Sequence, residues 1–142
     1  MDFECDGSWV QDDEQQWLQQ VAKAADLCLK PWRHGVRFSG EPPRQGETWS
    51  DCALLLEARD EQGQRCAQQD LELEIYRSGD DLNLMLTRFN DDSRPLLWHG
   101  SHPVWMDANT GERCQRPNDG APHEALCRRL RALLNPLDSD QN

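Results

Sequence analysis

The sequence predicts an α+β fold with an N-terminal helix, an antiparallel meander sheet of four or five strands, and a C-terminal helix. Residues 70–88 alternate between apolar and polar side chains on both sides of a Gly/Asp turn at 78–81, which is the pattern of an antiparallel hairpin. Apolar residues recur at three- and four-residue spacing near each end of the chain, as in amphipathic helices. No strand–helix–strand repetition is present, which argues against a parallel sheet.

The chain has 142 residues, 37% of them hydrophobic, which is sufficient for one domain with its own core. We predict a flexible acidic arm at residues 1–11, a single α+β domain at 12–135 and a disordered tail at 136–142.

Two amphipathic helices are predicted. The first begins at Asp12, which forms a capping box with Gln15, and ends before Pro31. The second begins near Pro122, a residue suited to a first helical turn, and ends at Asn135. Their apolar stripes are Trp17, Leu18, Val21, Ala25, Cys28 and Leu29 in the first helix, and Leu126, Leu130, Leu133 and Leu134 in the second.

The central residues predict the sheet. Residues 32–47 are a connector rich in Gly and Pro, with room for a short strand at 36–38. Residues 49–59 are interpreted as a strand, although a short helix is the alternative because Ala, Leu and Glu favour helices. Residues 96–107 are interrupted by a glycine and a proline, which favours a bulged or edge strand. A further turn then reverses the chain direction, and residues 112–114 run back along this segment.

Charge restricts the function classes. The formal net charge is −11, from 26 acidic and 15 basic residues, and such a surface repels nucleic acid and anionic membranes. It suits solubility or a protein partner with a basic surface. No apolar run approaches the roughly 20 residues that cross a bilayer. The N-terminus lacks the basic start of a signal peptide, so we expect a cytoplasmic protein without membrane insertion.

The six cysteines and four histidines lack the spacing of zinc ligands. No nucleophile motif, phosphate loop or dinucleotide fingerprint is present. We therefore expect reduced thiols, no metal and no cofactor; a disulfide set, which the even number of cysteines allows, and a metal protein are the alternatives.

The polar face of the central hairpin is the first candidate site. It combines a row of carboxylates with apolar side chains, and apolar residues on this nominally polar face indicate that something covers it. An ordinary solvated face and a local cluster under a loop are the alternatives. The candidate partner-binding residues are Asp70, Glu72, Glu74, Tyr76, Met85 and Phe89.

The second candidate is a ligand-binding groove lined by Trp98, His99, His102 and Trp105. Two indoles suit the wall of a small-molecule site, and histidines are able to bind metal or transfer protons. In the alternative interpretation, the tryptophans complete the core and the histidines face solvent. The two histidines are three residues apart, so a regular strand places them on opposite faces.

No catalytic set is complete, so the sequence favours a non-enzymatic protein-interaction domain that acts as an assembly, chaperone-like or regulatory factor. In size, acidity and element order the chain is similar to small acidic protein-binding chaperones and assembly factors. A small-molecule binder or small enzyme using the tryptophan–histidine groove is the alternative, and a homodimer is a second way to cover the hairpin face.

Overall fold

A computed structural model describes residues 2–40, 52–79 and 81–134, with side chains from residue 15 onwards. The predicted tail at 136–142 lies outside these ranges. The elements are α1 (Asp2–Cys28), β1 (Arg33–Phe38), β2 (Cys52–Arg59), a 3-10 turn (Ala67–Gln69), β3 (Leu71–Ser78), β4 (Asp81–Arg88), β5 (Leu96–His99), β6 (Pro103–Met106), β7 (Arg113–Cys114) and α2 (Ala121–Leu134).

The seven strands form one antiparallel sheet in the order β1 to β7, so each strand pairs with its neighbours in the chain. This confirms the α+β class and the antiparallel sheet, but the prediction of four or five strands is wrong. Residues 96–107 form two strands because a turn around Gly100 separates β5 from β6. The connector also contributes a six-residue strand, β1, rather than a three-residue one.

Both predicted helices are present. Helix α2 begins at Ala121, and α1 ends at Cys28, before Pro31, as the missing amide proton of proline requires. Helix α1 begins at Asp2, ten residues before the predicted capping box. It therefore includes residues 2–11, for which the sequence predicts a flexible arm.

The core lies between the two helices and one face of the sheet, which we call the inner face. One buried row crosses five strands of this face without a polar interruption. It consists of Leu54, Leu73, Leu86, Leu97 and Trp105. Val21 and Ala25 of α1, and Leu126 and Leu130 of α2, are fully buried in the same cluster. The helices therefore cover the leucine side of the central hairpin, as its alternation predicts.

Candidate functional site

The opposite side of the sheet, the outer face, carries the side chains that alternate with the core. The register places Glu74, Met85, Trp98 and Val104 next to one another across β3 to β6. Of these four, Glu74 is exposed and the other three are half-buried. This row places apolar side chains at the centre of a face that no described helix covers.

Six half-buried apolar residues adjoin on this face, and we call them the outer apolar patch. Leu96 pairs with Met106 on the same face, two residues along β5 and β6 from the Trp98–Val104 pair. The patch consists of Tyr76, Met85, Leu96, Trp98, Val104 and Met106. Sequence analysis found Tyr76 and Met85 as candidate partner residues and Trp98 as a candidate ligand residue, and the fold brings all three together.

Trp98 is held in a specific orientation. Its indole Nε1 donates a hydrogen bond to the Tyr76 hydroxyl at 2.7 Å, which links β5 to β3 across β4. A Cβ atom at Gly100 would lie 2.7 Å from Cη2 of Trp98, so the indole needs a glycine beside it. The patch therefore presents an ordered aromatic pair.

Carboxylates lie beside the patch on the outer face. Glu74 pairs with Met85 in the register, and Glu72 pairs with Thr87. Glu72 accepts a hydrogen bond from Ser39 at 3.2 Å. The predicted combination of acidic and apolar side chains thus exists for Glu72, Glu74, Tyr76 and Met85.

Asp70 does not belong to that surface, because it is only 3% exposed. Its carboxylate accepts hydrogen bonds from both terminal guanidinium nitrogens of Arg65, at 2.9 and 2.8 Å, and from the Ala58 amide at 2.8 Å. Burial opposes the charge of this carboxylate, but the hydrogen bonds from Arg65 and Ala58 hold the pKa of Asp70 below its usual range. Asp70 is therefore a structural anchor at the start of β3.

Phe89 lies just past the end of β4 and is 46% exposed. Its amide donates to the carbonyl oxygen of Asp70 at 3.0 Å. It continues the outer-face alternation beyond the strand, so it lies at the border of the sheet and is not one of the six patch residues.

The tryptophan–histidine set is divided between the two faces. His99 and Trp105 lie on the inner face and are 2% and 8% exposed, and Trp105 donates to Glu124 of α2 at 2.8 Å. His102 is exposed in the turn between β5 and β6. Trp98 and His102 line one shallow concavity on the outer face, whereas the other two residues belong to the core.

His99 is buried with one ring nitrogen unsatisfied. Nδ1 donates to the Gly100 carbonyl at 3.0 Å, while Nε2 has no hydrogen-bond partner among the described residues. Burial lowers the pKa of His99, as it does for His34 and His123. Because burial disfavours the charged form of each ring, the folded protein favours these histidines in the neutral form.

We expect acid to destabilise the fold through these histidines. The pKa of each ring in the folded protein lies below the unfolded value of about 6.5. The free energy of unfolding therefore has its full value above about pH 6.5 and decreases as the pH falls towards the folded pKa. His99→Leu should make this decline shallower in urea-unfolding midpoints measured between about pH 7.5 and 5. Leu133→Ala, at an exposed position, should keep the wild-type decline. An unchanged decline in His99→Leu contradicts the assignment.

The described residues contain no group of three or more His, Cys, Asp or Glu side chains suited to a metal ion. The five cysteines whose side chains the structure describes are free thiols. Burial raises the pKa of the Cys127 thiol to about 12, which leaves it protonated and unreactive at neutral pH.

Together, fold and surface define a two-layer α+β protein whose seven-stranded meander has both helices on its inner face. A family model described as Domain of unknown function (DUF8659) matches residues 18–133, and the chain belongs to this family. No curated protein and no solved structure matches the chain. Within the described residues, neither helix combines the length and apolarity needed to cross a membrane.

Proposed function

We propose that this protein is a non-enzymatic protein-interaction domain, and that its outer sheet face binds a partner segment carrying apolar and basic side chains. The observation that carries the proposal is the outer apolar patch around Trp98. Contiguous apolar surface on a protein often marks an interaction site, and tryptophan and tyrosine dominate the energetics of such sites.

The patch differs from the other exposed apolar residues. Leu27, Phe89 and Leu133 are 54%, 46% and 44% exposed, but they occur singly in α1, just past β4 and in α2. The patch instead joins six residues on four adjacent strands, and the Trp98–Tyr76 hydrogen bond holds its aromatic rings in place. A pre-ordered surface binds with less loss of side-chain entropy.

Charge selects the partner. Glu72 and Glu74 lie on the β3 side of the patch, whereas Arg113 pairs with Met106 on its β7 side, and the whole chain carries a net charge of −11. The negative electrostatic potential of this surface speeds association with a basic segment and disfavours an acidic one. The proposed partner is therefore a protein segment in which apolar residues are flanked by Lys or Arg, and the cytoplasm is the proposed compartment.

A displayed library of random peptides tests the proposal. We expect the protein to enrich peptides that combine apolar residues with Lys or Arg, and we expect their affinity to fall as salt is added. Met85→Lys should weaken the enriched peptides about tenfold or more, because it places a like charge at the centre of the patch. Fluorescence anisotropy of a labelled peptide measures the change.

Leu133→Lys is the matched control, since it also introduces a lysine in place of an apolar residue, at an exposed position of α2, and should leave the affinity unchanged. Glu74→Lys should weaken basic peptides while circular dichroism stays that of the wild type. Enrichment of no peptide, or equal binding by Met85→Lys and the wild type, overturns the proposal.

A further inference from the structure

A second concavity lies on the other side of the molecule, where the end of α1 meets the start of α2. It is a cleft of about 220 Å³ that is open to solvent, smaller than the roughly 300–1,000 Å³ of drug-sized ligand sites and therefore suited only to a small ligand. Lys30, Trp32, His34, Arg88 and His123 are among its lining residues. The cleft is separate from the outer face, because His34 and Arg88 lie on the inner side of the register.

Arg88 has an under-compensated charge. Its side chain is 13% exposed, and the nearest carboxylate, Asp119, is 3.3 Å away. Arg94 holds the same carboxylate more closely, at 2.6 and 2.5 Å. Two guanidinium groups therefore share one carboxylate, and the shortest hydrogen bond of Arg88 goes to a neutral acceptor, the side-chain oxygen of Gln69, at 2.7 Å. Burial, followed by repulsion from Arg94, lowers the pKa of Arg88 although Asp119 and Asp91 act in the opposite direction, so its charge is only partly compensated.

Lys30 adds a second positive charge to the cleft. Its side chain is exposed, and within the described part of the chain it forms no ion pair. The carboxylate of Asp26 near the cleft is already engaged, since it binds His34 at 3.0 Å and Arg33 at 3.5 Å. In a protein of net charge −11, the cleft is thus a local concentration of positive charge.

The two histidines leave this charge balance unchanged at neutral pH. Nδ1 of His34 donates to Asp26, and Nδ1 of His123 donates to the Asp119 carbonyl oxygen, both at 3.0 Å. Burial lowers the pKa of both rings, so they are neutral and present Nε2 as an acceptor.

We propose that this cleft binds a small organic anion, in which one carboxylate or phosphate monoester is attached to a flat apolar body. Arg88 and Lys30 bind the anionic oxygens, because charge-assisted hydrogen bonds to such groups are the strong ones. Trp32, Leu29 and Pro122 line the same cleft and supply apolar surface for the body. The site does not depend on the proposed protein-binding face.

Phenyl phosphate and benzoate are the probes, with uncharged phenol as their control, and titration calorimetry measures binding to the full chain. We expect one or both anions to bind and phenol not to bind. Arg88→Met and Lys30→Met should each weaken the bound anion about tenfold. Lys23→Met removes an exposed positive charge on α1, outside the cleft lining, and should leave the affinity unchanged.

Asp119→Asn provides a test of opposite sign. It removes the carboxylate that competes for Arg88, so anion binding should tighten even if the fold loses some stability. This variant keeps the proposal testable should Arg88→Met fail to fold. Failure of both anions to bind, equal binding of phenol, or equal weakening by Lys23→Met and Lys30→Met overturns the proposal, and none of these results bears on peptide binding by the outer face.

Discussion

Replacement of Leu73 by alanine should lower the free energy of unfolding by about 3.5 kcal/mol, the middle of the range for a fully buried leucine. Leu73 is 0% exposed at the centre of the sheet, between Leu54 of β2 and Leu86 of β4. Removal of its side chain leaves a cavity that the surrounding strands are too constrained to fill. Urea unfolding should show a lower midpoint with an unchanged slope.

Leu133→Ala is the control for this variant, because Leu133 is 44% exposed on α2 and should change stability by no more than about 0.5 kcal/mol. A loss below about 1 kcal/mol in Leu73→Ala would show that the two layers are not closely packed at this position.

Replacement of Asp70 by alanine should lower the free energy of unfolding by about 2 kcal/mol, because the buried amide of Ala58 loses its acceptor, whereas the Arg65 side chain is 35% exposed and remains hydrated. The variant leaves the Ala58 amide and the Arg65 guanidinium without the acceptor they share. Glu72→Ala, two residues further along β3, is the control, and the half-exposed position of Glu72 predicts a change within about 0.5 kcal/mol.

The pH dependence of Asp70→Ala provides a second measurement. The folded pKa of Asp70 lies below its usual value of 3.8, so its contribution is present above about pH 3.8 and is lost as the pH falls through the folded pKa. Asp70→Ala should therefore lose less stability than the wild type between about pH 5 and 2. An identical acid profile for the two proteins argues against the buried ion pair.

The elements with strong periodicity could be predicted from the sequence. Alternation assigned the leucines of β3 and β4 to the core, and the three- and four-residue spacing identified most of the apolar stripe of each helix. Leu133 is the exception, because it was assigned to the second stripe but is 44% exposed. The number of strands could not be predicted in this way, because β5, β6 and β7 are four, four and two residues long. Segments so short carry too few residues to show a period, and cross-strand pairing stabilises them instead.

The candidate site could be predicted only in part. Tyr76 and Met85 were found because they depart from the alternation of a long hairpin. Val104 and Met106 were missed because β6 is short, begins with Pro103 and follows Gly100 closely, so its alternation is obscured. The register of β5 against β4 is what places Trp98 beside Met85.

By itself, the sequence determined the α+β class, both helices and the buried face of the central hairpin, since local periodicity fixes which side chains share a face. Only the tertiary structure decided which polar residues are buried. Asp70 follows the alternation of an exposed row, yet Arg65 draws it into an ion pair. His99 and Trp98 are neighbours in the chain, yet the pleat directs one into the core and the other into the outer apolar patch, which forms from strands that are distant in sequence.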